Sequence, residues 1–258
     1  LKEVKYTISA VSYLNTKPFL HGLEQSQIYS NIILKEHHPA QCAIDLLDDR
    51  IDIGLVPVAI IPLLSNPHIV SPYCIGANGN VRTVSLFSRV PIEEINTVYL
   101  DEQSRTSVLL VQILFKEYWK KEVQFLPAYQ NYENNIKENE AAVVIGDRCI
   151  NILDKYKYNY DLAAIWKQHT QLPFVFATWV SNKNIDSDFL IEFNAALKVG
   201  LNQRAVLAEK YTAYNTQNFN VKSYWEENIQ YVLNENMQQA LALFLQKINP
   251  NQQIMYCY

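Results

Sequence analysis

The run Ile51–Val56 (IDIGLV) carries a single polar side chain, Asp52, the pattern of a strand covered on both faces. Helices must therefore flank its sheet, and the preceding chain supplies them. Tyr6–Val11 and Asn31–Glu36 read as strands and Pro18–Gln25 as a helix. Pro39 opens another helix with Cys42, Ala43, Leu46 and Leu47 on one face, proline being suited to a first helical turn. This alternation predicts an α/β fold with a mainly parallel sheet and helices on both sides.

Val81–Phe87 reads as a further strand, and after the turn-like SRVPIEE a second β/α set begins. Its expected strands are Thr97–Leu100, Ala141–Ile145, Tyr160–Ile165 and Pro173–Val180. Its amphipathic helix, Ser104–Trp119, turns Val111, Leu114, Phe115 and Tyr118 inward. Beyond Asn182 helical patterns follow at Asp186–Asn202, Arg204–Tyr214, Ser223–Val232 and Glu235–Ile248. The last has Met237, Ala240, Leu241 and Phe244 at helical spacing. A chain that builds one lobe, then a second, and returns with a helical tail matches the type II periplasmic-binding-protein plan: two β/α lobes, a hinge and a central cleft. The expected lobes are residues 1–86 with 178–258, and residues 87–177, with crossings in Ser85–Ser88 and Phe174–Thr178.

With 258 residues, 49% hydrophobic and 19% charged, the chain is long enough for two packed lobes and ordinary for a globular protein. A formal net charge of −4 gives no general pull toward nucleic acid or anionic membrane, so an anionic ligand needs a local site. No apolar run approaches the ~20 residues of a membrane span. The start, LKEVKYTISAV, includes an acidic residue and leads into a strand, unlike a signal peptide. Cys42, Cys74, Cys149 and Cys257 are widely scattered without a CxxC pair. They read as free thiols of a reducing, cytoplasmic compartment, two disulfides being the alternative by count. His37 and His38 point to opposite faces of an extended strand end, so no metal site is expected there. Neither a Ser-His-Asp spacing nor a paired-carboxylate motif can be assigned.

Four segments at strand ends, where open α/β sheets face their ligand crevice, can carry chemistry. In AVSYLNTKP, Ser12, Asn15 and Thr16 offer hydrogen bonds and Tyr13 an aromatic wall; equally, Asn15 or Thr16 can simply cap the helix opened by Pro18. In YCIGANGNVRTVSLFS, Gly76 and Gly79 allow tight backbone, and Asn80, Arg82, Thr83 and Ser85 add polar groups. A glycine turn before a strand is the alternative. In LDEQSRTSVLL, Ser104, Arg105, Thr106 and Ser107 surround a helix start whose free N–H groups and dipole favour a carboxylate; simple capping by Ser104 is the alternative. In AAVVIGD, Gly146 and Asp147 end a buried strand, where Asp147 either caps the next helix or faces the cleft.

Together these segments resemble one family, the chorismate dehydratases of the futalosine route to menaquinone. The matching stretches are VSYLNTKP (11–18), DIGLVPVA (52–59), GNVRTVSLFS (79–88), LDEQSRTSVLL (100–110), VVIGDRC (143–149), YDLAAIW (160–166) and LPFVFATWV (172–180). They run in the family's order. One departure is Gln171, where the family usually has glycine. The resemblance implies dehydration of chorismate to 3-[(1-carboxyvinyl)oxy]benzoate with no metal or organic cofactor, and a small-molecule substrate as partner. It implies substrate binding by Ser12, Tyr13, Gly79, Asn80, Arg82, Thr83, Ser104, Arg105, Thr106, Ser107 and Gly146, and catalytic roles for Asn15, Ser85 and Asp147. The proton to be lost is vinylogous to the ring carboxylate, so donors on that carboxylate stabilise a carbanion in an E1cB-like path. The base is either the substrate's own enolpyruvyl carboxylate or Asp147. The competing reading is a solute receptor of an ABC importer, since the same lobes serve both.

Overall fold

The computed structural model describes residues 6–101, 103–251 and 254–258; the first five residues of the expected first lobe and Glu102 of the third segment lie outside them. Strand β1 (Tyr6–Val11), helix α1 (Lys17–Glu24), β2 (Ile32–His37), α2 (Pro39–Leu47), β3 (Ile53–Pro57) and β4 (His68–Ala77) come first. The second set is β5 (Val84–Ser88), β6 (Thr97–Leu100), α3 (Arg105–Leu114), β7 (Gln124–Pro127), β8 (Glu140–Ile145), β9 (Tyr158–Asp161) and α4 (Leu162–Thr170). The chain returns through β10 (Phe174–Ser181), α5 (Ser187–Asn202), α6 (Arg204–Leu207), α7 (Val221–Ser223), β11 (Gln230–Val232), α8 (Glu235–Ile248) and β12 (Met255–Tyr256).

One sheet runs in the order β11-β4-β10-β3-β1-β2 with β12 beside β4, and the other in the order β7-β6-β8-β5-β9. Both are mixed, which corrects the expectation of a mainly parallel sheet. β1 pairs parallel with β2 and β3, whereas β10 runs antiparallel to β3 and β4. β5 is antiparallel to β8 and β9. The cause is the return chain: β10 enters the first sheet between β3 and β4 from the opposite end.

Because β5 lies wholly in the second sheet and β10 wholly in the first, the chain crosses at residues 78–83 and 171–173. The expected crossings within Ser85–Ser88 and Phe174–Thr178, and the lobe boundaries drawn from them, move by a few residues. Gly79 (φ 127) and Arg82 (φ 69) make the first crossing irregular, so the strand expected from Val81 begins only at Val84. Asp161 secures this crossing. Its carboxylate accepts the Arg82 N–H at 2.7 Å and also caps α4, accepting the N–H groups of Ala163 and Ala164 at 3.1 Å each. That cap ends β9 at Asp161, so Tyr160–Ile165 is a strand end and a helix start rather than one strand.

Three more expectations change. The helix expected at Ser104–Trp119 becomes α3 followed by a π-helical turn at Phe115–Trp119, and Tyr118 turns out to the surface, donating to Gln168. Ser223–Val232 is a π-helical turn, Tyr224–Asn228, and then β11 on the edge of β4. Residues 73–77, expected to be a loop, belong to β4. The first-sheet core joins α1 and α5 at Gly22 and Gly200, where a Cβ on either would strike the other helix's backbone. Phe19, Trp179 and Phe193 interlock beside them, each contributing about 1.5–3 kcal/mol by burial. Cys42, Cys74 and Cys149 are buried, Cys257 is partly buried, and all four are free. Among the described residues no helix is long and apolar enough to cross a membrane.

Candidate active site

β1 leaves the first sheet at Val11, and the chain turns sharply into a 3-10 turn at Leu14–Thr16 before Pro18 continues it as α1. That turn has no side-chain cap of its own. Asp147, from the end of β8 across the cleft, supplies one: its carboxylate oxygens accept the Leu14 N–H at 3.0 and 3.2 Å. Burial pushes the Asp147 carboxyl above the usual range, opposed by that N–H and by the charge of Lys17.

The neighbouring Gly146 has φ 66, and a Cβ there would sit 2.7–2.8 Å from the Tyr13 ring. Only glycine allows the second lobe to lie flat on this aromatic wall. Tyr13 in turn reaches Gln103, beside α3, with its hydroxyl at 3.4 Å. Burial first, and Asp101 second, push its phenol far above the ordinary value, which keeps it neutral.

The opposite wall is the start of α3. Asp101 accepts the Gln103 N–H at 3.0 Å, and the Ser104 hydroxyl caps the helix by accepting the Ser107 N–H at 3.2 Å. Thr106 is used internally, accepting from the Ala59 N–H and donating to the Phe176 carbonyl, both at 3.2 Å. The Ser107 hydroxyl has no protein partner among the described residues and lines the cleft. With the first-turn N–H groups that a helix leaves unpaired, it forms a carboxylate-sized donor set.

Between these walls lies a narrow cleft of about 550 Å³, its open mouth included, floored by apolar side chains such as Ile75, Val81, Val84 and Phe176. A planar apolar body with polar groups at its ends suits such a space.

A family model described as menaquinone biosynthesis matches residues 6–250. The chain belongs to that menaquinone-biosynthesis family. Chorismate dehydratase of Thermus thermophilus is 25% identical to it over 197 residues, 67% of this chain and 69% of that one. Protein AF1704 of Archaeoglobus fulgidus superposes with a TM-score of 0.74 at 12% identity, over 97% of this chain and 98% of that one. The Candida albicans CA3427 product, described as having the generic periplasmic binding protein fold, gives 0.63 at 12% identity, over 93% and 90%. The two-lobed periplasmic-binding-protein-like fold expected from the sequence is therefore the fold of this family member.

Of the residues singled out in the family member's sequence, the cleft brings together Tyr13, Asn15, Thr16, Thr83, Ser104, Thr106, Ser107 and Gly146. The others lie elsewhere. Ser12 is held by its N–H on the His37 carbonyl, off the lining. Gly79, Asn80 and Arg82 belong to the crossing; Asn80 is exposed, and Arg82 turns outward to the Asn218 carbonyl. Strand alternation turns Val84 into the cleft and Ser85 onto the opposite face with Phe87, where the Ser85 hydroxyl is buried without a partner among the described residues. Arg105 faces an outer groove. Asp147 spends both oxygens on Leu14.

Three residues that the sequence reading passed over stand behind the first wall. Trp225 donates its indole N–H to the Leu14 carbonyl at 3.0 Å, Tyr231 donates to the Asn15 carbonyl at 2.8 Å, and Tyr224 shares a hydrogen bond with Thr83 at 2.7 Å. Their only sequence signal is an aromatic cluster after Asn220, which reads as helix or core. The Asp101–Arg148 ion pair beside Tyr132, with its carboxylate buried and its guanidinium partly exposed, has no sequence signal.

Proposed function

We propose that the chain is a chorismate dehydratase, a lyase that removes water from chorismate to form 3-[(1-carboxyvinyl)oxy]benzoate on the futalosine route to menaquinone. The family match over residues 6–250 carries this reading. The Thermus thermophilus relative supports the particular reaction, and free thiols suit a cytoplasmic enzyme.

The α3 start holds the ring carboxylate through the Ser107 hydroxyl and first-turn N–H groups, with Ser104 keeping that turn formed. The apolar floor takes the cyclohexadiene ring. Asn15, on the facing wall, orients the C4 hydroxyl. Loss of the proton from the enolpyruvyl-bearing carbon sends negative charge into the ring carboxylate, where these donors stabilise it. The hydroxyl then leaves, and aromaticity drives the step. An elimination of this kind uses no redox or group-carrying cofactor.

The oxygen substituents of chorismate are trans, so the departing proton and hydroxyl share a face. One base can take the first and deliver it to the second. Asp147 is turned to the Leu14 N–H and is absent from the cleft lining. The substrate's own enolpyruvyl carboxylate is therefore the base in this mechanism, and Asp147 shapes the turn that presents Asn15.

Pure protein incubated with chorismate should deplete the diene absorbance and form the benzoate. An Asn15→Ala variant should lose about a hundredfold or more in kcat, the scale of removing one well-placed donor. Chorismate left intact at high enzyme concentration would refute the function; an undiminished Asn15→Ala rate would refute the role of Asn15.

A further inference from the structure

The C-terminal segment carries a polar device that the reaction scheme above does not use. Tyr224 is fully buried between α7 and β11, its ring packed on Phe219 with centroids 5.0 Å apart. Its hydroxyl meets the Thr83 hydroxyl at 2.7 Å, behind the cleft wall at the crossing into β5.

The direction of the bond follows from what each group can give. Thr83 Oγ1 is the one hydrogen-bond partner of the buried phenol among the described residues, and a buried donor is costly to leave unpaired, so the phenol's own proton goes to Thr83 Oγ1. Thr83 then has to place its proton elsewhere. Its protein alternative is the Val81 carbonyl at 3.5 Å, a separation too long for a good O–H···O bond. The remaining direction is the cleft, which Thr83 lines. Burial holds the phenol of Tyr224 far above its ordinary value, so the donor does not titrate away at neutral pH.

We propose that Tyr224 is a positioning residue for this reaction: by donating to Thr83, it turns the Thr83 hydroxyl into a donor aimed at an anionic oxygen of the substrate. The inference rests on the chorismate dehydratase reading. It gives Thr83 the opposite polarity from a threonine left to itself, which would be free to accept from the substrate hydroxyl. It also gives the cleft a donor separate from the α3 start, and a substrate with two carboxylates needs a second one.

The test compares Tyr224→Phe in three backgrounds: wild type, Thr83→Ser and Thr83→Val. Phe keeps the ring and its packing, so melting temperature serves as the structural control. In the wild-type background Y224F should lower kcat by about tenfold to a hundredfold, the scale of a hydrogen bond to a charged group, with KM within about threefold of wild type. The same loss should appear in Thr83→Ser, which keeps the hydroxyl. In Thr83→Val, Y224F should add less than its full loss, because the two residues act as one unit. Should Y224F fail to fold, Thr83→Val alone must show the kcat loss. Unchanged kcat in Y224F, or losses that simply multiply in the Val background, would overturn the inference while wild-type turnover of chorismate still stands. A wild-type enzyme inert toward chorismate would overturn the function and the inference with it.

Discussion

The two walls of the cleft are built in opposite ways. The α3 wall takes its caps from its own stretch of chain: Asp101 accepts from Gln103, and Ser104 accepts from Ser107, while Thr106 ties it to Ala59 and Phe176. The Leu14–Thr16 wall has no cap of its own and is held by distant groups: Asp147 on its N–H, Trp225 and Tyr231 on its carbonyls, 133, 211 and 216 residues away. A helix N-terminus completes its own donor geometry with one serine. A tight turn with buried backbone groups must find partners wherever the fold brings them, because unpaired groups at that depth are costly. The α3 wall is therefore less dependent on change elsewhere in the molecule than the Leu14–Thr16 wall.

The contrast is most exposed at Asp147. Asp147→Ala leaves the buried Leu14 N–H without an acceptor, which should cost about 1–3 kcal/mol of stability and lower kcat about tenfold or more through the displaced Asn15. Asp147→Asn keeps an acceptor oxygen and should retain near-normal turnover, which steady-state kinetics will show; a rate collapse in Asn would return Asp147 to the role of base. The two also differ with pH. The folded-state pKa of Asp147 is raised, so its ionised form burdens the native state above that pKa, and the burden is relieved as pH falls through it toward the unfolded value. Melting curves should show Asp147→Asn gaining on wild type most at neutral pH, with the gain shrinking on acidification.

A smaller effect is expected on the self-contained wall. Ser104→Ala removes one cap and should cost about 1 kcal/mol, read by denaturant unfolding, with KM raised several-fold and kcat nearly unchanged. A kcat loss larger than that of Asp147→Ala would invert the comparison. The smallest effect belongs to neither wall. Gln171 sits at the C-terminus of α4 with φ 63, its N–H on the Lys167 carbonyl at 2.8 Å, in a left-handed position that glycine occupies with less strain. Gln171→Gly should raise stability by up to about 1 kcal/mol at unchanged activity, measured by thermal melting. A change in turnover would show that the return crossing also shapes the site.

The same division explains what could be read from the residues. β1, α1, α2 and α8 follow from periodicity, as does the α3 wall, because their determinants are local. Ser104, Thr106 and Ser107 are legible for that reason, whereas the constraint on Gly146 comes from the distant Tyr13 ring. Ser85 and Arg82 were misplaced because a polar side chain in a motif says nothing about which face it takes. The strand phase that turns Val84 inward depends on where Arg82 breaks the backbone. Tyr160–Ile165 reads as a strand in sequence because the dual bond of Asp161 to Arg82 and α4 is a tertiary event. Tyr224, Trp225 and Tyr231 offer nothing beyond an aromatic cluster, since their partners Thr83, Leu14 and Asn15 lie 141, 211 and 216 residues away.

That separation has a consequence for the order in which the molecule is made. A ribosome delivers the Leu14–Thr16 turn early and its aromatic braces only after the tenth strand has joined the first sheet. The second sheet and most of the first can pair before the braces exist, but the first wall has to wait for them. The Leu14–Thr16 turn is then complete only once the chain has been made through Tyr231, long after the turn's own residues.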